Sequence, residues 1–126
     1  LMELYKNLNK EELQEIIWYR IDNTDEAIET HGIALAKKLS CNVVITRGKE
    51  WASLITPDGH YLHIQTQAKT IFDVSGAGDT FSAWVITGLT QWMSLPDAVM
   101  LGNKASGIAV SKIWTSIVTW KELYAL

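Results

Sequence analysis

The residues best suited to chemistry are a carboxylate set directly behind a stretch of bare backbone. They lie in Asp73-Val74-Ser75-Gly76-Ala77-Gly78-Asp79-Thr80. Ahead of this stretch runs Thr70-Ile71-Phe72, extended and apolar. Behind it, Phe81, Trp84, Val85, Gly88, Leu89 and Trp92 recur at helical spacing. The pattern predicts a glycine turn that opens a helix from about Ala77 to Trp92. The first turn of a helix has N–H groups without intrahelical partners and partial positive charge from the aligned peptide dipoles. Glycine lets an anion approach such a turn without a side chain in the way. Asp79 carries the wrong charge for an anion site unless it acts as a base on the group that attacks the anion. That is the layout required for phosphoryl transfer to a hydroxyl. Taken alone, an aspartate at a helix start is more often a cap or a dipole partner than a base.

Several elements must hold this stretch in place. Residues 9–18 read as a helix with Leu13, Ile16 and Ile17 on one face. Asn9 suits its N-cap, and Glu12 stands three residues on, as in a capping box. A second helix runs from Thr24 to about Leu39, acidic at its start (Asp25, Glu26) and basic at its end (Lys37, Lys38). Val43-Val44-Ile45-Thr46 suits a buried central strand. Ala52–Ile55 and Tyr61–Ile64 flank Pro57-Asp58-Gly59 and read as a β-hairpin. His60 and His63 are expected to face solvent there, and a two-histidine metal site lacks a third ligand. A last long helix spans roughly Pro96 to Lys112, capped by Ser94. Its small residues Gly102, Ala105, Ser106, Gly107 and Ala109 suit close packing. Thr119 to Leu126 reads as a short terminal helix.

Composition narrows the function class. At 126 residues the chain is one domain at most, and 48% apolar residues suffice for a core. Net charge is −3, and no basic cluster exceeds Lys37-Lys38, so nucleic acid and anionic membrane are poor partners. The single cysteine, Cys41, suits a reducing cytoplasm and a small core position. Residues 1–10 lack the pattern of a signal peptide. The longest uncharged run, Thr80 to Pro96, is too polar to span a membrane.

The same residues carry a resemblance. Asp73–Thr80 resembles the D-T-x-G-A-G-D-[ST] signature of the ribokinase-like (PfkB) carbohydrate kinases, with Val74 departing at the second position. Asn9-Lys10-Glu11-Glu12 resembles the family's N-x-x-E motif, and Thr46-Arg47-Gly48 the start of its T-x-G-x-x-G nucleotide loop. The resemblance covers about residues 8–126 and corresponds to the C-terminal, nucleotide-binding and catalytic part of such a kinase. The N-terminal part that holds most of the sugar is expected to be absent. The fold it implies is α/β, a three-layer α/β/α sandwich of the ribokinase-like type. It implies a cytoplasmic enzyme using ATP and Mg2+, with a monovalent cation in some relatives, and allows a homodimer. Gly76, Ala77 and Gly78 would grip the transferring phosphoryl, and Asp79 would be the base. Asn9, Glu12, Thr46 and Gly48 would bind nucleotide, with Asn103 near the adenine edge. Glu12 and Asp73 would serve metals. Thr46-Arg47-Gly48, the Pro57-Asp58-Gly59 hairpin, Phe72-Asp73-Val74, Ala105–Val110 and Ser111-Lys112-Ile113 with Thr115 resemble the heptose 7-phosphate kinase branch, which feeds ADP-heptose and lipopolysaccharide synthesis. Another sugar kinase, or an inactive nucleotide-binding module, stands as the alternative.

Tryptophan departs from the family pattern. There are six tryptophans, and Trp18, Trp51, Trp84, Trp92 and Trp114 fall where relatives tend to have glycine. Trp51 stands at the second glycine of the nucleotide loop. A phosphate-cradling loop needs bare backbone. Two explanations fit: a gene whose UGA codons specify glycine in its host, or a diverged kinase with genuine indoles.

Overall fold

The computed structural model describes residues 5–48, 51–65, 76–112 and 117–124, with backbone alone at Trp51. The chain divides into two compact units, Leu4–Ile64 and Gln65–Leu126.

The first unit begins with a strand, β1 (Tyr5–Asn9), that runs directly into α1 (Lys10–Ile17). After α2 (Asp25–Leu39) come β2 (Asn42–Thr46), β3 (Trp51–Ile55) and β4 (Tyr61–Gln65). The sheet order is β1-β2-β3-β4. β1 and β2 are parallel, and β2 and β3 antiparallel. A parallel pair needs a long crossover, and α1 and α2 supply it. Val43, Val44 and Ile45 of β2 are fully buried, as a central strand requires. Leu8, Leu13, Ile28, Leu35 and Ile55 complete the core around Val43 and Ile45. The expected apolar face of α1 is narrower than its spacing suggested. Leu13 is buried and Ile17 half-buried, but Ile16 is exposed because the core lies only on the Leu13 side.

The helix ends follow local chemistry. The Asn9 side chain accepts from the Glu12 N–H at 2.7 Å, and Glu12 accepts from the Asn9 N–H at 2.8 Å. Thr24 caps α2 through the Ala27 N–H. The hairpin turn closes where expected, with Gly59 at φ 92 and its N–H donating to the Thr56 carbonyl.

The second unit contains α3 (Ala77–Thr90), α4 (Leu95–Val110) and α5 (Trp120–Tyr124). Phe81, Val85, Gly88 and Leu89 of α3 are buried, as are Leu95, Ala98, Val99, Gly102 and Ala105 of α4. Gly102 sets the closeness of the seam. A methyl group there would lie 2.6 Å from Val85 Cγ2 and 2.7 Å from the Phe81 carbonyl oxygen. The small residues of α4 thus serve packing at this point. α5 buries Leu123 with Val118 against Ala105. Trp84 meets Trp120 edge-on at 4.6 Å between ring centroids.

Candidate functional site

Asn9 and Thr46 end adjacent parallel strands and are direct Cα partners. The turn into α1, with Glu12, and the loop after β2 therefore leave the sheet side by side, at the carboxyl ends of its parallel strands. That is the edge where open α/β sheets bind ligands. Four of the expected nucleotide residues, Asn9, Glu12, Thr46 and Gly48, are brought together here. Gly48 has φ 81, a left-handed conformation that favours glycine, and a Cβ there would meet nothing within 4 Å. The loop backbone is thus open to approach at Gly48.

Arg47, between them, points inward and is only 4% exposed. Its Nε donates to Asn23 Oδ1 at 2.8 Å, and Nη1 donates to Asp25 Oδ1 at 2.7 Å. The Arg47 hydrogen bond holds the Asp25 carboxyl below the usual carboxylate range, opposed by desolvation. His63 corrects an expectation. It is not solvent-facing: Nδ1 lies 2.7 Å from Ser53 Oγ and Nε2 lies 2.7 Å from Glu29 Oε1. His60, by contrast, is exposed beside Asp58. Sequence reasoning missed the Arg47 cluster. Its partners stand up to 24 residues away along the chain, so no local spacing marks them.

In the second unit, Gly76 is the N-cap of α3 with φ 73, and no side chain caps that helix. α1, α2 and α4 are each capped by a side chain, from Asn9, Thr24 and Ser94. Cβ atoms added at Gly76 or Gly78 would meet nothing within 4 Å. Asp79 lies in the first turn of α3 and is exposed. Bare amides and an accessible carboxylate thus share one helix start. Ser106 Oγ donates to the Ala77 carbonyl at 3.2 Å, tying α4 to that turn. Asn103 is buried, and its Nδ2 donates to the Gln65 carbonyl at 2.7 Å. Asp73, Val74 and Ser75 lie outside the described residues, as do Ile113, Trp114 and Thr115 and the side chain of Trp51. Among the described residues, no cluster of three or more His, Cys, Asp or Glu could hold a metal ion. No helix among them is long and apolar enough to cross a membrane.

The model of the pfkB family of carbohydrate kinases matches residues 7–122. The chain belongs to that family. Among pfkB-related sequences, a bifunctional protein HldE of Paramagnetospirillum magneticum is 35% identical over 91% of this chain and 24% of its own length. Another of the same name, from Trichlorobacter lovleyi, is 45% identical over 67% of this chain and 17% of its own length. The chain therefore spans about a quarter or less of these curated relatives. Among solved structures, Arabidopsis thaliana ribokinase in complex with ribose and ATP superposes with a TM-score of 0.85 at 21% identity, covering 96% of this chain and 39% of that one. Escherichia coli phosphofructokinase-2, in complex with substrates and products, gives 0.82 at 16% identity over the same shares. The fold is therefore ribokinase-like α/β.

Proposed function

We propose that this chain is the C-terminal, nucleotide-binding and catalytic part of an ATP-dependent sugar kinase. The observation that carries the proposal is the start of α3: a glycine N-cap with no side-chain cap, and Asp79 exposed in the first turn. The known structures of ribokinase with ribose and ATP and of phosphofructokinase-2 with its substrates and products support the choice of ATP and a sugar.

The residues present fit such a substrate. Within the first unit the backbone at Gly48 is open to phosphate, and within the second the backbone at Gly76 and Gly78 is open to an anion; the Glu12 carboxylate is a hard oxygen donor of the kind magnesium prefers. Asn9, Thr46 and Gly48 would bind the nucleotide phosphates, and Asn103 would serve the adenine. Magnesium, when bound, would neutralise phosphate charge, with Glu12 and Asp73 as its protein partners. The Asp79 carboxylate takes the proton of the sugar hydroxyl. The freed oxygen bonds to the γ-phosphorus as the bond to the bridging oxygen breaks. The Gly76, Ala77 and Gly78 segment donates its amides to the transferring phosphoryl, and preorganised donors of this kind contribute about 3 kcal/mol each to lowering a barrier.

The resemblance of Phe72-Asp73-Val74, Ala105–Val110 and Ser111-Lys112-Ile113 with Thr115 to the heptose 7-phosphate kinase branch supports a heptose 7-phosphate as the sugar, giving heptose 1,7-bisphosphate. The test is Asp79→Asn in the protein as its host makes it, assayed with heptose 7-phosphate, ribose and fructose. Turnover should fall about 100- to 10,000-fold while ATP still binds. Near-normal turnover would refute the role of Asp79, and turnover with ribose alone would refute the heptose assignment.

A further inference from the structure

Arg47 is the central residue of Thr46-Arg47-Gly48, yet its guanidinium is spent within the protein. Besides the bonds from Nε to Asn23 and from Nη1 to Asp25, Nη2 donates to the Asn23 carbonyl at 3.3 Å. Nη1 also reaches Ser53 Oγ at 3.3 Å and His63 Nδ1 at 3.4 Å. Asn23 grips the same residue a third time, since its Nδ2 donates to the Arg47 carbonyl at 3.2 Å. One asparagine thus fixes both the side chain and the backbone of Arg47, at the step where the chain enters Gly48.

The partners extend the brace. A carboxylate only accepts, so His63 Nε2 donates to Glu29, and the Arg47 Nη1 donor facing Nδ1 leaves that nitrogen as an acceptor. The Ser53 hydroxyl then donates to Nδ1 and keeps a lone pair for Arg47. The Ser53 hydroxyl and the His63 Nε2–H thus each have an acceptor, as a buried polar network requires. The order serine, histidine, carboxylate matches that of a hydrolytic nucleophile, but Ser53 is fully buried and faces a guanidinium. It ties β3 to β4 and has no access to a substrate.

We propose that Arg47 is a positioning residue for the nucleotide loop and binds no phosphate itself. Asn23, Asp25, Ser53 and the His63–Glu29 pair hold it so that the Gly48 backbone leaves β2 in its left-handed conformation. This inference rests on the reading of residues 46–48 as nucleotide-binding.

Three variants of the protein as its host makes it test the inference: Asn23→Ala, Arg47→Lys and the double variant. Titration with a non-hydrolysable ATP analogue and steady-state kinetics are the readouts. A lysine keeps the charge but cannot present the fork, so Arg47→Lys should weaken analogue binding about tenfold. Asn23→Ala should also weaken it about tenfold and raise KM for ATP, with the sugar KM and kcat within about twofold of normal. The double variant should bind no worse than the weaker single variant, because both remove one coupled interaction. A merely structural role would lower the melting temperature and leave KM for ATP unchanged. A direct phosphate contact would leave Asn23→Ala unaffected and let Arg47→Lys keep most of its affinity. Either result overturns the proposal. If Arg47→Lys does not fold, Asn23→Ala, at an exposed loop position, decides alone. A normal protein that binds no ATP analogue would overturn the nucleotide-loop reading, and this inference with it. Tight binding by normal protein and variants alike would overturn this inference only.

Discussion

Asn9 and Thr46 sit opposite each other at the ends of parallel β1 and β2, and Asn9 is also the N-cap of α1. One residue therefore has a structural duty and a proposed functional one, and two substitutions separate them. Asn9→Ala removes the side-chain acceptor for the Glu12 N–H and should cost about 1 kcal/mol of stability. Glu12→Gln keeps an acceptor for the Asn9 N–H, because glutamine also completes a capping box. It should melt close to the normal protein but need more magnesium for ATP binding. Thermal unfolding and a magnesium titration of analogue binding check the pair. An unchanged magnesium requirement would remove Glu12 from the metal site.

Gly78 and Gly102 both lie within helices but should respond in opposite ways. A Cβ at Gly78 meets open space, so Gly78→Ala should raise stability by up to about 1 kcal/mol through helix propensity. A Cβ at Gly102 lies 2.7 Å from the Phe81 carbonyl oxygen, and backbone yields poorly. Gly102→Ala should therefore lower stability by about 1–3 kcal/mol. Activity should divide the other way per folded molecule: Gly78→Ala obstructs the proposed phosphoryl grip, whereas Gly102→Ala leaves it bare. Denaturant melts alongside turnover normalised to folded protein are the measurements.

These contrasts mark what could be read in the sequence. Asn9 with Glu12, Thr24, Ser94 and the Pro57–Gly59 turn are local devices, each complete within about four residues, and they stand where their spacing predicts. β1 was missed. Its residues YKNLN show no alternation, and it is a strand because β2 offers it a parallel edge. α1 was anticipated, but the burial of Leu13 without Ile16 depends on where the sheet lies. The Arg47 cluster joins four segments of the chain, so no window of sequence displays it. The adjacency of Asn9 and Thr46 was likewise hidden, since it arises from strand pairing across an intervening helix pair.

Acid should destabilise the protein through three carboxylates. A hydrogen bond from Arg47 lowers the pKa of Asp25, one from the Thr56 hydroxyl and then one from His60 lower that of Asp58, and one from Lys112 and then the Thr119 N–H lower that of Glu122. A depressed folded-state pKa means that the unfolded chain binds protons first as pH falls. The stabilisation is thus present above the ordinary carboxylate values of about 4 and is lost as pH drops through the lower folded values. Each of the three carboxylates reaches solvent, so each share is small and screened by salt. Melting curves from pH 6 down to about pH 2 should show a steepening loss. Lys112→Met should flatten part of it by releasing Glu122. An unchanged slope in that variant would place the acid sensitivity elsewhere.

Two of the three non-glycine residues with positive φ among the described residues are tryptophans, Trp18 at φ 56 and Trp92 at φ 63. Both follow helices in the left-handed step that closes a Schellman-type end. The Tyr19 N–H donates to the Gln14 carbonyl, and the Met93 N–H to the Gly88 carbonyl. That position favours glycine, because a Cβ in the left-handed region crowds the backbone. Burial does not compensate, since Trp18 is 93% exposed and Trp92 77%. Trp18→Gly and Trp92→Gly should therefore each raise stability by about 1 kcal/mol, where glycine in a helix interior would lower it. The same geometry bears on the gene. A host that reads UGA as glycine would place the favoured residue at both helix ends and a bare position at residue 51 of the proposed nucleotide loop. Peptide masses of the protein isolated from that host decide the matter. Glycine at positions 18, 51 and 92 would establish the recoding. Indole at all three, with glycine variants no more stable than the tryptophan protein, would leave a diverged kinase whose tryptophans are its own.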